Sequence, residues 1–138
     1  MIIWLASYPK SGNTWLRSLI ANYYFSETGD FNFELLEKID SFPSNKYFRK
    51  YLDKFNQPHD TSKYWIKEQE KINQSKGLKF FKTHNALCKI EGNQFTNKEN
   101  TLSVIYIIRD PRNVISSLSI HYQISTDEGF LFMTVVNS

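Results

Sequence analysis

The sequence is short of cysteine, of net charge and of long apolar runs, and each shortage excludes a class of protein. A single cysteine, Cys88, excludes a disulfide framework and a cysteine-rich zinc site. The 17 lysines and arginines stand against 14 acidic residues, and the net charge of +3 lacks the basic excess of a dedicated nucleic-acid binder. No apolar run approaches the ~20 residues of a membrane-spanning helix. We therefore expect a soluble, cytoplasmic protein with no nucleic-acid partner and no membrane span.

The first 25 residues predict a strand, a turn and a helix in succession. Residues 2–6 form a short apolar run, and residues 7–13 are rich in turn-forming residue types. The residues that follow recur at the spacing of one helical face: Leu16, Leu19, Ile20, Tyr23 and Tyr24. This pattern predicts a buried strand that leads through a phosphate-loop-like turn into an amphipathic helix.

The middle of the chain, residues 26–77, is mostly helical by periodicity. An aromatic stripe over residues 47–55 predicts one of its helices, and Trp65 and Ile72 lie seven residues apart on another face. The prolines and polar residues at 42–44 and 57–60 predict loops.

Two more strands are predicted further along the chain, a short one at residues 79–82 and a long β-branched one at 102–108, with a polar loop between them. Asp110 and Pro111 are typical of the N-cap and first position of a helix that follows the second of these strands. Strands separated by helices favour an α/β sandwich with a central parallel sheet flanked by helices. A length of 138 residues favours one domain, 1–138, over two.

The carboxyl end of the first predicted strand carries residue types that suit an anion. Lys10 and Gly12 precede a helix whose unpaired N–H groups and dipole attract negative charge, and hydroxyls and an amide follow at Ser11, Asn13 and Thr14. The nucleoside-triphosphate pattern G-x-x-x-x-G-K-[ST] is absent, because the lysine precedes the glycine and no earlier glycine exists. The alternative is an ordinary turn capped by Ser11 or Asn13.

The other two strand ends add a histidine and an arginine. Lys82 and His84 point the same way if the strand geometry persists, and a neutral histidine beside lysine suits a general base. Arg109 offers a bidentate phosphate grip, and Ser117 lies at the edge of the buried helical face. The alternatives are a surface histidine, a pair of Arg109 with Asp110 or Glu128, and a Ser117 bonded to its own helix. Metal-ligand spacing is absent, so we expect no metal.

Three segments together resemble the PAPS-dependent sulfotransferase family: residues 8–15 (YPKSGNTW), 82–84 (KTH) and 105–117 (IYIIRDPRNVISS). The first resembles the family's 5′-phosphosulfate loop, with Asn13 where threonine is usual, and the third resembles its 3′-phosphate strand and helix. The resemblance implies a P-loop-like α/β sandwich. It also implies that 3′-phosphoadenosine 5′-phosphosulfate (PAPS) donates a sulfuryl group to an acceptor hydroxyl or amine, on a small molecule, a glycan or a lipid.

The resemblance also implies roles for particular residues. His84 would take the acceptor proton, Lys10 would stabilise the leaving group, and Lys82 would add positive potential. The implied nucleotide-binding residues are Lys10, Ser11, Gly12, Asn13, Thr14, Trp15, Arg109 and Ser117. Trp15 would pack on the adenine, although its helical position equally suits the core. The family's glycine-rich basic C-terminal segment has no counterpart before Ser138, so we expect an incomplete, C-terminally truncated domain.

Two other functions fit the same sequence features. The phosphate-binding turn, with Asp110 at a strand end, also suits a Mg²⁺-dependent P-loop kinase or NTPase. An incomplete domain also suits a fragment that binds a nucleotide without catalysing transfer.

Overall fold

A parallel four-stranded sheet forms the centre of the chain in the computed structural model, which describes residues 1–51 and 58–134. The strands are β1 (Ile2–Ser7), β2 (Asp40–Ser41), β3 (Lys79–Thr83), β4 (Lys89–Ile90), β5 (Asn93–Gln94) and β6 (Thr101–Ile107). The sheet order is β2-β3-β1-β6 with every neighbouring pair parallel, and β4 and β5 form a separate antiparallel hairpin. The predicted α/β class with a parallel sheet flanked by helices is confirmed.

Helices connect and flank the strands, as the right-handed crossovers of a parallel sheet require. They are α1 (Asn13–Phe25), a 3₁₀ helix (Phe33–Lys38), α2 (Asn45–Phe48), α3 (Pro58–Ser62), α4 (Trp65–Gln74), α5 (Pro111–Tyr122) and α6 (Thr126–Thr134). Across the described parts of the chain, every helix is too short or too polar to cross a bilayer.

The core lies on both faces of β1, because successive side chains of a strand point to opposite sides. On one face Trp4 is 1% exposed, its ring centroid lies 5.1–6.0 Å from those of Phe42, Phe81 and Phe95, and its indole N–H donates to Thr101 Oγ1 at 3.0 Å. On the other face Leu5 packs in a smaller cluster with Ala21, Ile39 and Phe80. These two clusters fix β1 at the centre of the sheet.

The central position of β1 brings three strand ends side by side. Ala6 pairs with Thr83 of β3, and Ser7 pairs with Ile107 of β6. The segments after these strands therefore begin at one edge of the sheet, where parallel α/β proteins bind their ligands.

The helical prediction for the middle of the chain needs correction. α2 ends at Phe48, and residues 52–55 of the predicted stripe lie outside the described residues. The prediction of a loop at 57–60 is wrong for residues 58–60, the part that the structure describes, because α3 begins at Pro58. Proline suits the first position of a helix, since it lacks only an N–H that would be unpaired there anyway. β2 was not predicted; it is two residues long and pairs at the edge of the sheet.

The polar loop predicted between the later strands contains the β4–β5 hairpin. Glu91 and Gly92 connect its strands with φ values of 50° and 80°. Positive φ at both turn residues is what a tight two-residue hairpin requires. Strands of two residues are too short for an alternating pattern to predict them.

Candidate functional site

A cavity of about 580 Å³ opens at the carboxyl edge of the sheet, and we call it the strand-end cavity. Every predicted site residue except Ser11 lines it. The lining is Pro9, Lys10, Gly12, Asn13, Thr14, Trp15, Lys82, His84, Arg109, Ser117, His121 and Tyr122. Three segments far apart in sequence thus contribute to one site.

The turn before α1 keeps the start of this helix open. Lys10 and Gly12 adopt left-handed backbone conformations, with φ of 64° and 104°, and a Cβ at Gly12 would meet no atom within 4 Å. No side chain of the described residues caps α1, so the capped-turn alternative is wrong. The first N–H groups of α1 have no acceptor within the helix and are available to an anion.

The Asn13 side chain points to β1. It is 4% exposed, and its amide donates to Leu5 O at 2.8 Å and Ser7 Oγ at 3.1 Å. Its Oδ1 is buried with no hydrogen-bond partner among the described atoms. Both amide hydrogens are committed to β1, so Asn13 offers a bound anion its backbone N–H and fixes the first turn of α1.

Ser11 lies beside the strand-end cavity. Its side chain is 7% exposed and lines an adjoining cavity of about 90 Å³ together with Tyr8, Arg109 and Met133. Thr14, which is exposed on the first turn of α1, lines the strand-end cavity itself.

His84 is held by the end of β1. Its Nδ1 lies 2.8 Å from Ser7 O and 3.3 Å from Ser7 Oγ. A carbonyl oxygen only accepts hydrogen bonds, so Nδ1 carries the proton of the neutral ring and Nε2 keeps a free electron pair. Burial lowers the pKa of His84 and the charge of Lys82 lowers it further, against the opposing bond to Ser7. The ring is therefore neutral near pH 7.

Lys82 lies one strand repeat before His84 and lines the same cavity, as strand alternation predicts. Burial lowers the pKa of its ammonium, and the nearby Arg17 charge lowers it further. Arg17 itself is turned away, because its Nη2 donates to Leu36 O and Ile39 O at 2.8 and 2.7 Å.

Arg109 reaches back to the turn before α1. Its Nη1 donates to Lys10 O at 2.9 Å, which supports the left-handed conformation there. Among the residues that the structure describes, Arg109 pairs with neither Asp110 nor Glu128, so both alternatives are wrong. Asp110 caps α5 through Arg112 N and binds the Arg112 guanidinium, while Glu128 bonds to Ser125.

Ser117 is half-buried on α5 and lines the cavity. The neighbouring Ser116 is exposed, and its hydroxyl donates to a carbonyl of its own helix, Arg112 O, at 3.1 Å.

Trp15, His121 and Tyr122 complete the wall. Trp15 is 71% exposed, so the alternative that it packs in the core is wrong. His121 and Tyr122 were missed by sequence reasoning, although His121 follows Ser117 by one helical turn and that spacing places both on one face. Within the described ranges, no three His, Cys, Asp or Glu residues converge as a metal site would require.

Comparison with known proteins identifies the family. The sequence model described as the sulfotransferase domain matches residues 2–132, nearly the whole chain and all three segments that line the cavity. A search of curated protein sequences returned no relative that matches. The family match supports a transferase of the sulfotransferase type. The chain belongs to the sulfotransferase domain family.

Proposed function

We propose that the protein transfers a sulfuryl group from PAPS to an acceptor hydroxyl or amine. The observation that carries this proposal is the strand-end cavity. Three cationic side chains, the uncapped N-terminus of α1 and the neutral imidazole of His84 lie around it. Its wall holds Lys10, Lys82 and Arg109, so the donor set suits a ligand with several negative charges.

The residues present fit the donor nucleotide. The first N–H groups of α1 and the Thr14 hydroxyl would hold the 5′-phosphate side, where Gly12 leaves open space. Arg109 and Ser117 would hold the 3′-phosphate, and the exposed Trp15 ring would stack on the adenine. A volume of about 580 Å³ lies within the usual range of ligand sites, roughly 300–1,000 Å³.

When bound, PAPS supplies a sulfuryl group whose bond to the 5′-phosphate oxygen breaks as a bond to the acceptor oxygen or nitrogen forms. His84 Nε2 accepts the proton of the acceptor group. Nε2 is free to do so because the hydrogen bond to Ser7 O uses the other ring nitrogen, Nδ1. Lys10 neutralises the charge that develops on the departing phosphate oxygen, and Lys82 adds positive potential. The bond to Ser7 O orients the His84 ring before the reaction, so the base needs little reorganisation during transfer.

The experiment separates transfer from binding in the His84→Gln variant. Transfer of radiolabelled sulfuryl groups from PAPS is measured with 2-naphthol and with N-acetylglucosamine as acceptors. Calorimetry measures the Kd of adenosine 3′,5′-bisphosphate. We expect His84→Gln to lower transfer by roughly 100-fold or more, the usual contribution of a general base, while the bisphosphate Kd is unchanged.

His59→Gln is the matched control, because His59 lies on α3 outside the lining of the cavity and pairs with Asp60. An equal loss in both variants, or a parallel loss of nucleotide binding in His84→Gln, contradicts the role given to His84. A wild-type protein that binds the bisphosphate but transfers to no acceptor is a nucleotide-binding protein without catalysis. Tighter, Mg²⁺-dependent binding of ATP points to a kinase or NTPase.

A further inference from the structure

Both oxygen atoms of Ser7 face the ring of His84. Ser7 ends β1 and His84 follows β3. Each comes one position after the pair formed by Ala6 and Thr83, so the two residues lie side by side. His84 Nδ1 is 2.8 Å from Ser7 O and 3.3 Å from Ser7 Oγ. Ser7 is 3% exposed and does not line the strand-end cavity, so its hydroxyl is a buried group with no part in the proposed reaction so far.

The Ser7 hydroxyl accepts a hydrogen bond from Asn13. Leu5 O only accepts hydrogen bonds, so the Asn13 atom that lies 2.8 Å from it is the amide nitrogen. The same nitrogen lies 3.1 Å from Ser7 Oγ and directs its second hydrogen there. A hydroxyl oxygen has two lone pairs, so Ser7 Oγ can accept from Asn13 and also from the longer contact with His84 Nδ1.

The two oxygen atoms of Ser7 decide which nitrogen of His84 carries the proton. An unprotonated Nδ1 would direct its lone pair at the lone pairs of Ser7 O, and no hydrogen bond would join them. Asn13 keeps the Ser7 hydroxyl as an acceptor, because a hydroxyl without that donor can rotate and donate to Nδ1 instead. The arrangement therefore favours Nδ1–H and leaves Nε2 as the basic nitrogen.

Asn13 connects this pair to the first turn of α1. It is the first residue of that helix, and its backbone N–H is one of the groups available to an anion. Its side-chain Oδ1 is buried without a hydrogen-bond partner among the described atoms, and an unpaired buried acceptor is destabilising. Such groups are few in folded proteins, so the direction of this side chain calls for a reason other than stability.

We propose that Ser7 and Asn13 are positioning residues for the base. The hydrogen bonds from Asn13 Nδ2 to Ser7 Oγ and from His84 Nδ1 to Ser7 hold the ring in its Nδ1–H form, at a fixed place relative to the first turn of α1. Nε2 is thereby ready for the acceptor proton when a nucleotide occupies that turn. The catalytic part of this inference rests on the proposed function, whereas the tautomer of His84 does not.

The first test measures the tautomer by nitrogen NMR, which distinguishes a protonated from an unprotonated ring nitrogen. At about pH 8, well above the ordinary histidine pKa of about 6.5, we expect Nδ1 to carry the proton in the wild type. The share of Nε2–H should rise in Ser7→Ala, and Ser7→Thr, which keeps the hydroxyl, should restore the wild-type spectrum. Ser62→Ala is the matched control, because Ser62 is 1% exposed and its hydroxyl donates to His59 O, outside the lining of the strand-end cavity.

The second test measures transfer from saturating PAPS to 2-naphthol. We expect Ser7→Ala to lower kcat roughly tenfold, a part of the ~100-fold or more that a general base supplies, with the acceptor KM and the bisphosphate Kd unchanged. Ser62→Ala should keep the wild-type kcat. If Ser7 and Asn13 act through one chain of hydrogen bonds, the double variant Ser7→Ala/Asn13→Ala loses no more kcat than the more damaging single variant.

A share of Nε2–H that does not rise in Ser7→Ala overturns the role given to Ser7. Losses of kcat that add in the double variant overturn the link through Asn13, and equal changes in Ser62→Ala show that kcat follows global stability and overturn the proposal. If Ser7→Ala fails to fold, Asn13→Ala carries the tautomer test with the same expected rise, because it removes the donor to Ser7 Oγ. A wild type that transfers to no acceptor overturns the proposed function, whereas a changed tautomer in Ser7→Ala still supports the positioning of the ring.

Discussion

At His84, burial and one hydrogen bond set the charge and the tautomer of the ring together. Burial is the largest cause of the lowered pKa. The bond to Ser7 O acts in the opposite direction, and the charge of Lys82 lowers the pKa by a smaller effect. The imidazole of His84 therefore binds a second proton more readily in the unfolded chain than in the folded chain. The contribution of this ring to folding stability is complete above the ordinary pKa of about 6.5 and is lost as pH falls through the lowered folded value.

The pKa of His84 predicts a titration that can be followed directly. We expect the NMR signal of its Cε1 proton to have a midpoint below about 6.5, the ordinary value for histidine. In Lys82→Met the midpoint moves up, because a cation that disfavours the imidazolium is removed, and it stays below the ordinary value, because burial remains. The two midpoints come from NMR titrations of wild type and variant.

The same spectra carry an internal control, because His59 lies outside the lining of the strand-end cavity. The chemical shift of its signal at a fixed pH should be the same in wild type and Lys82→Met, because His59 lies on α3. A His84 midpoint at or above 6.5 in the wild type would show that burial does not control the ring. A midpoint that falls in Lys82→Met would show that the lysine acts on it in another way.

At the scale of elements, the first turn of α1 is positioned from two sides. Asn13 ties it to the end of β1 through Leu5 O and Ser7 Oγ, and Arg109 holds the preceding turn through Lys10 O. The turn itself depends on a left-handed Gly12, with φ of 104°. These contacts keep the N–H groups of α1 directed at the strand-end cavity.

Gly12→Ala and Gly77→Ala form a matched pair that separates folding from binding. The two glycines have φ of 104° and 100°, and a Cβ meets no atom within 4 Å at either position. Each alanine should therefore cost roughly 1–2 kcal/mol in the free energy of unfolding, from the backbone alone. Only Gly12→Ala should also weaken adenosine 3′,5′-bisphosphate binding, because its backbone borders the strand-end cavity.

Urea unfolding gives the stability of each variant, and calorimetry gives the Kd of the bisphosphate. A Kd that changes equally in both variants would mean that binding follows global stability. An unchanged Kd in Gly12→Ala would mean that the turn before α1 does not contact the nucleotide.

The elements that could be predicted from the sequence are those that depend on residues close together in the chain. β1, α1 and the Asp110 cap follow from apolar periodicity and residue chemistry within a few positions, and the structure has them at nearly the predicted places. The direction of the Asn13 side chain was not predictable, because it depends on a carbonyl of β1 that becomes accessible only when α1 folds back. A cavity of about 300 Å³ between Trp4 and Val104 was missed for a similar reason, since it requires the pairing of β1 with β6.

At the scale of the molecule, the sheet is covered unevenly. β1 is buried on both faces, whereas β6 forms an edge of the sheet. The apolar side chains of β6 are exposed on both of its faces: Leu102 is 52%, Ile105 40% and Tyr106 62% exposed. β6 contains no charged residue and no proline, the devices with which edge strands usually avoid pairing. The backbone groups on its outer side can therefore pair with another strand.

This open edge predicts self-association of the protein through β6. Ser103→Lys places a charge on the edge at an exposed polar position, so no packing is lost. We expect the wild-type protein to form larger species as its concentration rises, and the Ser103→Lys variant to remain monomeric over the same range, because paired strands would bring lysines close together. Sedimentation velocity at a series of concentrations measures the distribution directly.

Ser75→Lys adds the same charge at an exposed serine that follows α4, away from β6, and should leave the association of the wild type unchanged. If both variants suppress association equally, net charge controls it and the edge does not. A wild type that stays monomeric at every concentration would show that β6, although exposed, does not pair. Ser103 is not among the residues that line the strand-end cavity, so Ser103→Lys should leave the bisphosphate Kd unchanged. Suppression of association by this variant alone, with that Kd unchanged, would show that the edge of the sheet and the cavity act independently.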